Sequence, residues 1–311
     1  MAVNKIKQYT GTFEYIYTPQ RPAAYAANGG DISLFTSEIG GGGRNVKGAT
    51  YRVHKFTNSS DITFDQAGYV DILVVAGGGA GGASYNYDMG GGGGAGGLIE
   101  RYNHYVEATT YSINVGAGGI PTNGTAANAT GSNSSFGNVV ALGGGRGSNR
   151  YANNNVPGAV SGGSGGGGAD NSDSGASGTE GQGFSGGNGW SDISGGGGGA
   201  GGSGGSPGEG FVTCFGGDGR PTYFDNDSGD WMAGGGAGSY RNSRRGDRGP
   251  ASGGRGGGGD GGSDGDSENN RTGRAATYYG SGGAAGFSKT TSWYYGGAGY
   301  QGIVIVRYLI T

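Results

Sequence analysis

The stretch Gly68-Tyr-Val-Asp-Ile-Leu-Val-Val-Ala-Gly-Gly-Gly-Ala-Gly-Gly82 decides the fold of this chain. Residues 69–75 are almost continuously apolar, as expected for a β-strand that is covered on both faces. The residues that follow are nearly all glycine, which is unfavourable in the interior of a helix. The stretch therefore predicts a buried strand that continues directly into an extended glycine segment.

Glycine segments of this kind recur along the whole chain, in which 84 of 311 residues are glycine. They occupy residues 76–82, 90–97, 143–147, 162–168, 195–205, 234–238, 253–259 and 296–299. They have no fixed period and break the Gly-X-Y rule, so they indicate neither a strict repeat array nor collagen. Polyglycine can adopt a threefold extended helix without internal hydrogen bonds, in which neighbouring segments satisfy one another laterally. We therefore predict a polyglycine-II bundle.

A glycine content this high often indicates disorder, because the chain buries too little apolar surface to offset its conformational entropy. Two observations favour an ordered protein. Aromatic residues make up 11% of the chain and the net charge is only −3, whereas disordered chains are usually poor in aromatics and highly charged. In addition, the apolar clusters lie at the edges of the glycine-rich region, where strands could anchor it.

Further predicted strands are rich in β-branched and aromatic residues. They cover residues 9–17, 51–56, 61–64, 110–115, 138–142 and 302–308. A sheet made from them would bring the last strand back beside the early ones. The predicted fold is mainly β with polyglycine II, in which a small sheet or sandwich frames the glycine segments and there is little or no helix. We assign residues 1–50 to an N-terminal arm and residues 51–311 to the glycine-rich domain.

The composition argues against several classes of function. Cys214 is the only cysteine, and His54 and His104 are the only histidines, so a disulfide framework or a Cys/His zinc site is not expected. No signal peptide or membrane span is recognisable, and the near-neutral charge gives no basis for general nucleic-acid binding. We expect no cofactor, no metal and no catalysis. The acidic residues of 225–230 and 260–268 lack the ligand order of an EF-hand and are interpreted as solvated.

The best candidates for function are aromatic and basic residues between glycine segments. Tyrosine and tryptophan offer rigid contact area with a polar group, a mixture that suits the binding of proteins and sugars. The candidates are Tyr85, Tyr87, Tyr151, Trp190, Tyr223, Trp231, Tyr240, Arg244, Arg245, Tyr278, Tyr279, Trp293 and Tyr294. The alternative is that these aromatic residues only cap the edges of the bundle.

Several motifs occur in an order that resembles the glycine-rich domain of bacteriophage tail-fibre and adhesin proteins. They are His54-Lys-Phe56, Ile62-Thr-Phe64, Val70 to Gly82, Gly90 to Leu98, Tyr111-Ser-Ile-Asn-Val-Gly-Ala-Gly-Gly119, Ser134-Ser-Phe-Gly137 and Gly296 to Tyr308. The resemblance implies a polyglycine-II bundle on a virion appendage, made in the host cytoplasm, with loops at its tip that contact a host surface glycan or protein.

The resemblance covers about residues 51–308 and does not extend to the N-terminal arm, which we interpret separately as an attachment to other virion proteins. A homotrimer is one oligomeric state that the resemblance allows. Two alternatives stay open at this point. The chain could be a purely structural part of a virion, such as a capsid fibre or filament subunit, or a microbial extracellular fibril or matrix protein.

Overall fold

The computed structural model describes residues 25–38, 45–122, 129–150, 158–208, 214–241, 251–262, 272–288 and 290–310. Within these ranges the chain forms strands and no helix, which confirms the predicted fold class. The strands are β1 (Tyr25–Asn28), β2 (Asp31–Thr36), β3 (Thr50–Phe56), β4 (Ser60–Gln66), β5 (Gly68–Val75), β6 (Leu98–Val106), β7 (Thr110–Asn114), β8 (Ser134–Phe136), β9 (Val139–Ala141), β10 (Arg220–Thr222), β11 (Asp230–Met232) and β12 (Ile303–Leu309). The predicted strand at residues 9–17 lies outside the described residues.

Two five-stranded antiparallel sheets form a sandwich, with strand orders β2-β3-β12-β5-β6 and β1-β4-β7-β8-β9. The last strand, β12, pairs with both β3 and β5, so the end of the chain does return beside the early strands. A separate two-stranded hairpin consists of β10 and β11. The boundary predicted at residue 50 stays a prediction, but β1 and β2, which precede it, pair with β4 and β3.

Strand β5 is covered on both faces, as its continuously apolar sequence predicts. Ile72 and Val74 lie between the two sheets, in a core that also contains Phe64 from β4. Leu73 and Val75 point to the other side of the sheet, where they pack in a cluster with Phe224. The sandwich therefore has an inner core between its sheets and a second core beneath the hairpin of β10 and β11.

The glycine segment that follows β5 shows the predicted threefold geometry. Its successive N–H groups donate to different neighbouring segments: Gly77 to Ser132, Gly78 to Tyr300, Gly79 to Gly94, Ala80 to Ala129, Gly81 to Gly297 and Gly82 to Gly91, at 2.8–3.2 Å. Donors three residues apart thus share one neighbouring segment. This is the lateral pattern expected of polyglycine II, which has three residues per turn and no internal hydrogen bonds.

The carbonyl groups of the same segment accept from further neighbours. Those of Gly77 and Ala80 accept from the N–H groups of 144 and 147, and those of Gly79 and Gly82 accept from 283 and 286. The segment is therefore hydrogen-bonded on all sides. Glycine is required because the backbones touch: a Cβ atom on Gly81 would overlap the carbonyl of Ala284.

The sequence analysis did not predict β1, β2, β6, β8, β10 or β11. Strand β6 is nine residues long, but its middle is polar and exposed, so it lacks the apolar run that marks β5. It also contains a bulge, where Asn103 has a φ of 54° and its N–H donates to the Asp71 carboxylate at 3.1 Å. The strands β8, β10 and β11 have three residues each, which is too short to show a periodic pattern.

Candidate functional site

The glycine segments run between the sandwich and a layer of loops at the opposite end, which we call the tip. Segment 76–82 leaves β5 and segment 90–97 returns to β6, so the loop between them lies far from the sheets. We define the tip as six loops that are joined directly or through one another by hydrogen bonds. They are residues 83–89, 149–150, 169–173, 189–193, 239–241 and the described part of 287–294.

Backbone hydrogen bonds hold the tip loops against one another. They run from Asn86 N–H to the Thr290 carbonyl (3.1 Å), from Arg150 N–H to Ala83 (2.9 Å), from Asp170 N–H to Met89 (3.2 Å), from Asn171 N–H to Ser191 (2.8 Å) and from Arg241 N–H to Asp192 (3.2 Å). Each bond joins loops that are distant in sequence. The tip is therefore a continuous surface built by the bundle beneath it.

Two exposed aromatic side chains lie on adjoining parts of this surface. Tyr87 is 50% exposed and Trp190 is 46% exposed. Arg241 connects their loops, because its Nη2 donates to the Tyr87 carbonyl at 2.6 Å and its Nη1 lies 3.5 Å from the Asp192 carboxylate. The Arg241 guanidinium also lies 5.9 Å from the centroid of the Tyr87 ring. We call Tyr87, Trp190, Asp192 and Arg241 the tip patch.

Unusual backbone conformations position the aromatic residues of the tip patch. Tyr87 has a φ of 68°, its neighbour Asn86 a φ of 54°, and Ser191, next to Trp190, a φ of 45°. Left-handed conformations of residues other than glycine are uncommon and tend to cluster at functional sites. Asn171 and Ser172, in an adjacent tip loop, are also left-handed. The tip therefore contains most of the left-handed non-glycine residues of the described chain.

A buried carboxylate lies in the loop beside the tip patch. Burial, together with the nearby charge of Asp88, raises the pKa of Asp170 to about 8. Arg150 opposes this shift, since its Nε lies 3.2 Å from the Asp170 Oδ1 atom. Burial also raises the pKa of Asp88. Asp88 and Asp170 therefore favour their neutral form more than an exposed aspartate does.

Four other sequence candidates lie at the tip but present less surface. The rings of Tyr85 and Trp293 contact each other with centroids 5.0 Å apart, and both side chains are half-buried. Tyr294 is half-buried and bridges to Ser84. Tyr240 is buried in a small core cluster with Cys214, so it supports the tip instead of presenting a contact surface.

The remaining described candidates lie at the other end of the glycine segments, beside the sandwich. Tyr278 and Tyr279 are half-buried against the core beneath β10 and β11, and Tyr223 is half-buried in the loop between these strands. Trp231, on β11, is exposed, and the guanidinium of Arg255 lies 5.3 Å from its ring centroid. The candidates therefore do not form one site. Tyr151, Arg244 and Arg245 lie outside the described residues.

The interpretation of residues 225–230 as solvated carboxylates is wrong for all three aspartates, of which Asp230 accepts a hydrogen bond from the Tyr278 hydroxyl at 3.3 Å. Asp227 accepts hydrogen bonds from the Ser37 hydroxyl and the Glu38 N–H, each at 2.8 Å. Asp225 forms an ion pair with Lys55. Asp225 and Asp227 fasten the loop between β10 and β11 to the sandwich, because one pairs with Lys55 on β3 and the other accepts from residues that directly follow β2.

The sequence analysis missed the polar residues that join the tip patch. Arg241 follows Tyr240 and Asp192 follows Trp190 by two positions, so an aromatic residue beside a charged one was the available signal. The same combination occurs at Asp230 and Trp231, which lie beside the sandwich and not at the tip, so it does not identify the tip patch. Within the described ranges, no group of three or more His, Cys, Asp or Glu residues is arranged to hold a metal ion, and no helix could span a membrane.

The fold and the tip define a β-sandwich protein in which a polyglycine bundle presents a layer of loops. A family model described as a glycine-rich domain matches residues 55–309. The chain therefore belongs to the glycine-rich domain family. A search of curated proteins finds no match.

Proposed function

We propose that this protein is a bacteriophage tail-fibre component that binds a receptor on the host cell surface through the tip patch, without catalysis. The observation that carries the proposal is that Arg241 joins the loops of two exposed aromatic side chains, Tyr87 and Trp190. It donates to the Tyr87 carbonyl and forms an ion pair with Asp192, two residues after Trp190. Aromatic and arginine side chains dominate the energetics of many binding interfaces.

The supporting physical argument is preorganisation. Side chains on loops usually lose conformational entropy when they bind, which lowers affinity. Here the loops are fastened to one another and to a hydrogen-bonded bundle, so the backbone from which the Tyr87 and Trp190 rings project is ordered before a ligand arrives. A surface polysaccharide is a suitable receptor, because sugar rings stack on aromatic faces and their hydroxyls can bond to the Arg241 and Asp192 side chains.

The test is the binding of purified protein to bacterial or cyanobacterial cells and to their extracted surface polysaccharide. We expect the variant Tyr87→Ala/Trp190→Ala to lose at least roughly tenfold in affinity, because truncating a central aromatic residue often costs 2 kcal/mol or more. The matched control is Trp231→Ala, which removes an exposed tryptophan at the end beside the sandwich. Its binding should match that of the unaltered protein.

The other outcomes contradict the proposal in distinguishable ways. If Trp231→Ala loses binding and the tip variant keeps it, the contact surface lies beside the sandwich. If the folded, unaltered protein binds no host cell or polysaccharide and particles that lack it still attach, the structural role in a virion or fibril becomes the better explanation.

A further inference from the structure

A tight turn joins β1 and β2, which are outer strands of the two sheets. Gly29 and Gly30 occupy this turn with φ angles of 112° and 63°. A Cβ atom would lie 2.8 Å from the Asp61 carbonyl oxygen if added to Gly29, and 2.7 Å from the Lys55 carbonyl oxygen if added to Gly30. Asp61 belongs to β4 and Lys55 to β3, so the turn is in close contact with both sheets. We call residues 28–31 the corner.

The buried side chain of His54, on β3, holds the corner. Its Nδ1 atom lies 2.7 Å from the Gly29 carbonyl oxygen, and its Nε2 atom lies 3.3 Å from the Tyr308 hydroxyl. The rings of His54 and Tyr308 stack with centroids 5.7 Å apart. These partners suit the neutral ring with its hydrogen on Nδ1, because that nitrogen then donates to the carbonyl and Nε2 accepts from the hydroxyl. The neutral form of His54 therefore fastens the corner to β3 and β12.

The charge beside His54 opposes its protonated form. The guanidinium of Arg52, two residues away on β3, forms hydrogen bonds with the hydroxyl groups of Tyr25 on β1 and Tyr308 on β12. Protonated His54 would direct an Nε2–H donor at the Tyr308 hydroxyl and place a second positive charge beside Arg52. Burial and the charge of Arg52 lower the pKa of His54 below its usual value of 6.5, and the bond to the Gly29 carbonyl opposes them only in part.

In the described part of the chain, the elements around His54 supply no negative charge to a protonated ring. The residues paired with His54 are Ile32 on β2 and Val306 on β12, which are both apolar. Asp31 and Asp61 flank the corner, but both are exposed, and neither acts on the charge of His54. A proton on His54 therefore remains uncompensated while the corner is closed.

Strands β1 and β2 have few other contacts that hold them in place. The pairing of β1 with β4 is interrupted by two register shifts. On β2, Ile32 is 49% exposed and Leu34 is 63% exposed, and within the described ranges this strand pairs on one side only. Elements with few buried apolar contacts open locally at a low cost in free energy. The two strands can therefore open as a unit while the rest of the sandwich stays folded.

We infer that His54 is a proton-operated latch: when its ring takes up a second proton, the corner opens, and β1 and β2 detach from β4 and β3. Opening uncovers the backbone edges of β3 and β4, to which another strand can pair. The inference goes beyond receptor binding and is independent of it, since the corner lies on the sandwich and the receptor surface lies at the tip.

Proton linkage gives the direction and size of the effect. In the open form His54 is exposed to water and regains its ordinary pKa, so the open form binds more protons than the closed form below that value. The ratio of open to closed chains should therefore rise by up to about tenfold for each pH unit below 6.5, until the lowered pKa of the closed form is reached. Above about pH 7.5 the ratio should be constant, because His54 is then neutral in both forms.

Hydrogen exchange of the full chain between pH 7.5 and 5.5 tests the inference, with rates corrected for the intrinsic effect of pH. Carboxylates with ordinary pKa values of about 4 stay ionised in this range. We expect the protection of the β1 and β2 amides to fall about tenfold, and that of the β5 amides to stay constant. Constant protection of β1 and β2, or an equal fall in β5, overturns the inference.

Each histidine provides a variant for this experiment. His54→Asn keeps an N–H donor near the position of Nδ1 but does not titrate, so the protection of its β1 and β2 amides should not depend on pH. The control His104→Asn removes the histidine of β6, whose pKa is also lowered by burial, and it should keep the fall in protection. A fall that persists in His54→Asn, or that disappears in His104→Asn, assigns the effect to another group and overturns the inference.

A measurement on the unaltered protein keeps the inference testable if His54→Asn does not fold. NMR spectra over the same pH range follow the ring of His54 and the backbone amides of β1 and β2. The ring and the amides should change together, with a midpoint below pH 6.5. If the ring of His54 titrates while the amide signals of β1 and β2 stay unchanged, His54 is a buried histidine without a latching role.

Discussion

At the scale of single residues, Asp170 shows how the fold sets the chemistry of the tip. Its carboxylate is buried next to Asp88, and its pKa is raised from an ordinary value of 3.8 to about 8. Between these two pH values the folded chain binds a proton that the unfolded chain has released. The free energy of unfolding should therefore fall as the pH rises from 4 to 8, by up to about 1.4 kcal/mol for each pH unit.

The variant Asp170→Asn should remove this pH dependence, because an amide does not titrate. We expect it to be more stable than the unaltered protein at pH 8 and of similar stability below pH 4. Urea denaturation across this pH range measures the difference. The control Asp218→Asn changes an exposed aspartate, and it should leave the pH dependence in place. A variant that is less stable at pH 8 would show that the ion pair with Arg150 outweighs burial.

Arg307 is a second residue whose role depends on its surroundings. The side chain is fully buried on β12, with its guanidinium carbon 4.5 Å from the Tyr51 ring centroid and 4.8 Å from that of Phe224. It donates to the Asp71 carboxylate at 3.1 Å and to Asn45 Oδ1 at 2.7 Å. It also donates to the Tyr223 carbonyl at 2.7 Å. Arg307 therefore fastens the loop between β10 and β11 to the sandwich.

Replacing Arg307 by alanine should lower the free energy of unfolding by about 3–5 kcal/mol, because it leaves a carboxylate and carbonyl groups without their partner. The matched control is Arg274→Ala, which removes an exposed arginine paired with Asp260 and should cost less than about 1 kcal/mol. Thermal or chemical denaturation measures the free energy of unfolding of both variants. Equal effects of the two substitutions would contradict the fastening role.

At the scale of elements, the glycine segments depend on the close approach of their backbones. Each segment is laterally hydrogen-bonded, so a side chain at an inward position separates several segments at once. Gly81 is such a position, because a Cβ atom there would overlap the carbonyl of Ala284. Gly202 lies in another glycine segment. A Cβ atom added there would lie 3.6 Å from its nearest neighbour, the Asp218 nitrogen, which is an ordinary contact distance.

We expect Gly81→Ala to destabilise the protein by about 3 kcal/mol, the upper end of the usual cost of overpacking a core. Gly202→Ala should be neutral or slightly stabilising, because alanine reduces the entropy of the unfolded chain. Melting temperatures of the two variants compare them directly. If Gly81→Ala were as stable as Gly202→Ala, the bundle would be looser than its hydrogen bonds indicate.

At the scale of the whole molecule, the sandwich is closed by the last strand of the chain. β12 lies between β3 and β5, more than 220 residues away in sequence, and its apolar side chains contribute to both cores. Contacts at such separation are slow to form, because the entropy of closing a long loop is lost before they are made. We therefore expect slow folding, on the time scale of seconds or longer.

A chain that ends before residue 303 should not fold, since the first sheet would be split and both cores opened. A chain that lacks only residues 310–311, which follow β12, should fold like the unaltered protein. Far-UV circular dichroism and size-exclusion chromatography distinguish these cases. A folded chain without β12 would show that the glycine bundle does not need the closed sandwich.

The amino-acid sequence by itself determined the glycine bundle and the long apolar strands. The periods of a strand and of polyglycine II are local, so residues 69–75 and 76–82 predict their own structure without knowledge of their neighbours. The return of β12 to the early strands was also predictable, because its apolar side chains must be buried and the earlier strands form the sheet that can bury them.

Only the tertiary structure decided which candidates share a surface. Trp190 and Trp231 have similar sequence surroundings, yet one lies at the tip and the other beside the sandwich. Their separation depends on where each glycine segment reverses, and that is set by hydrogen bonds between segments that are distant in sequence. The joining of Tyr87 to Asp192 through Arg241, and the burial of Asp170 and Tyr240, likewise depend on contacts between loops, which no local pattern encodes.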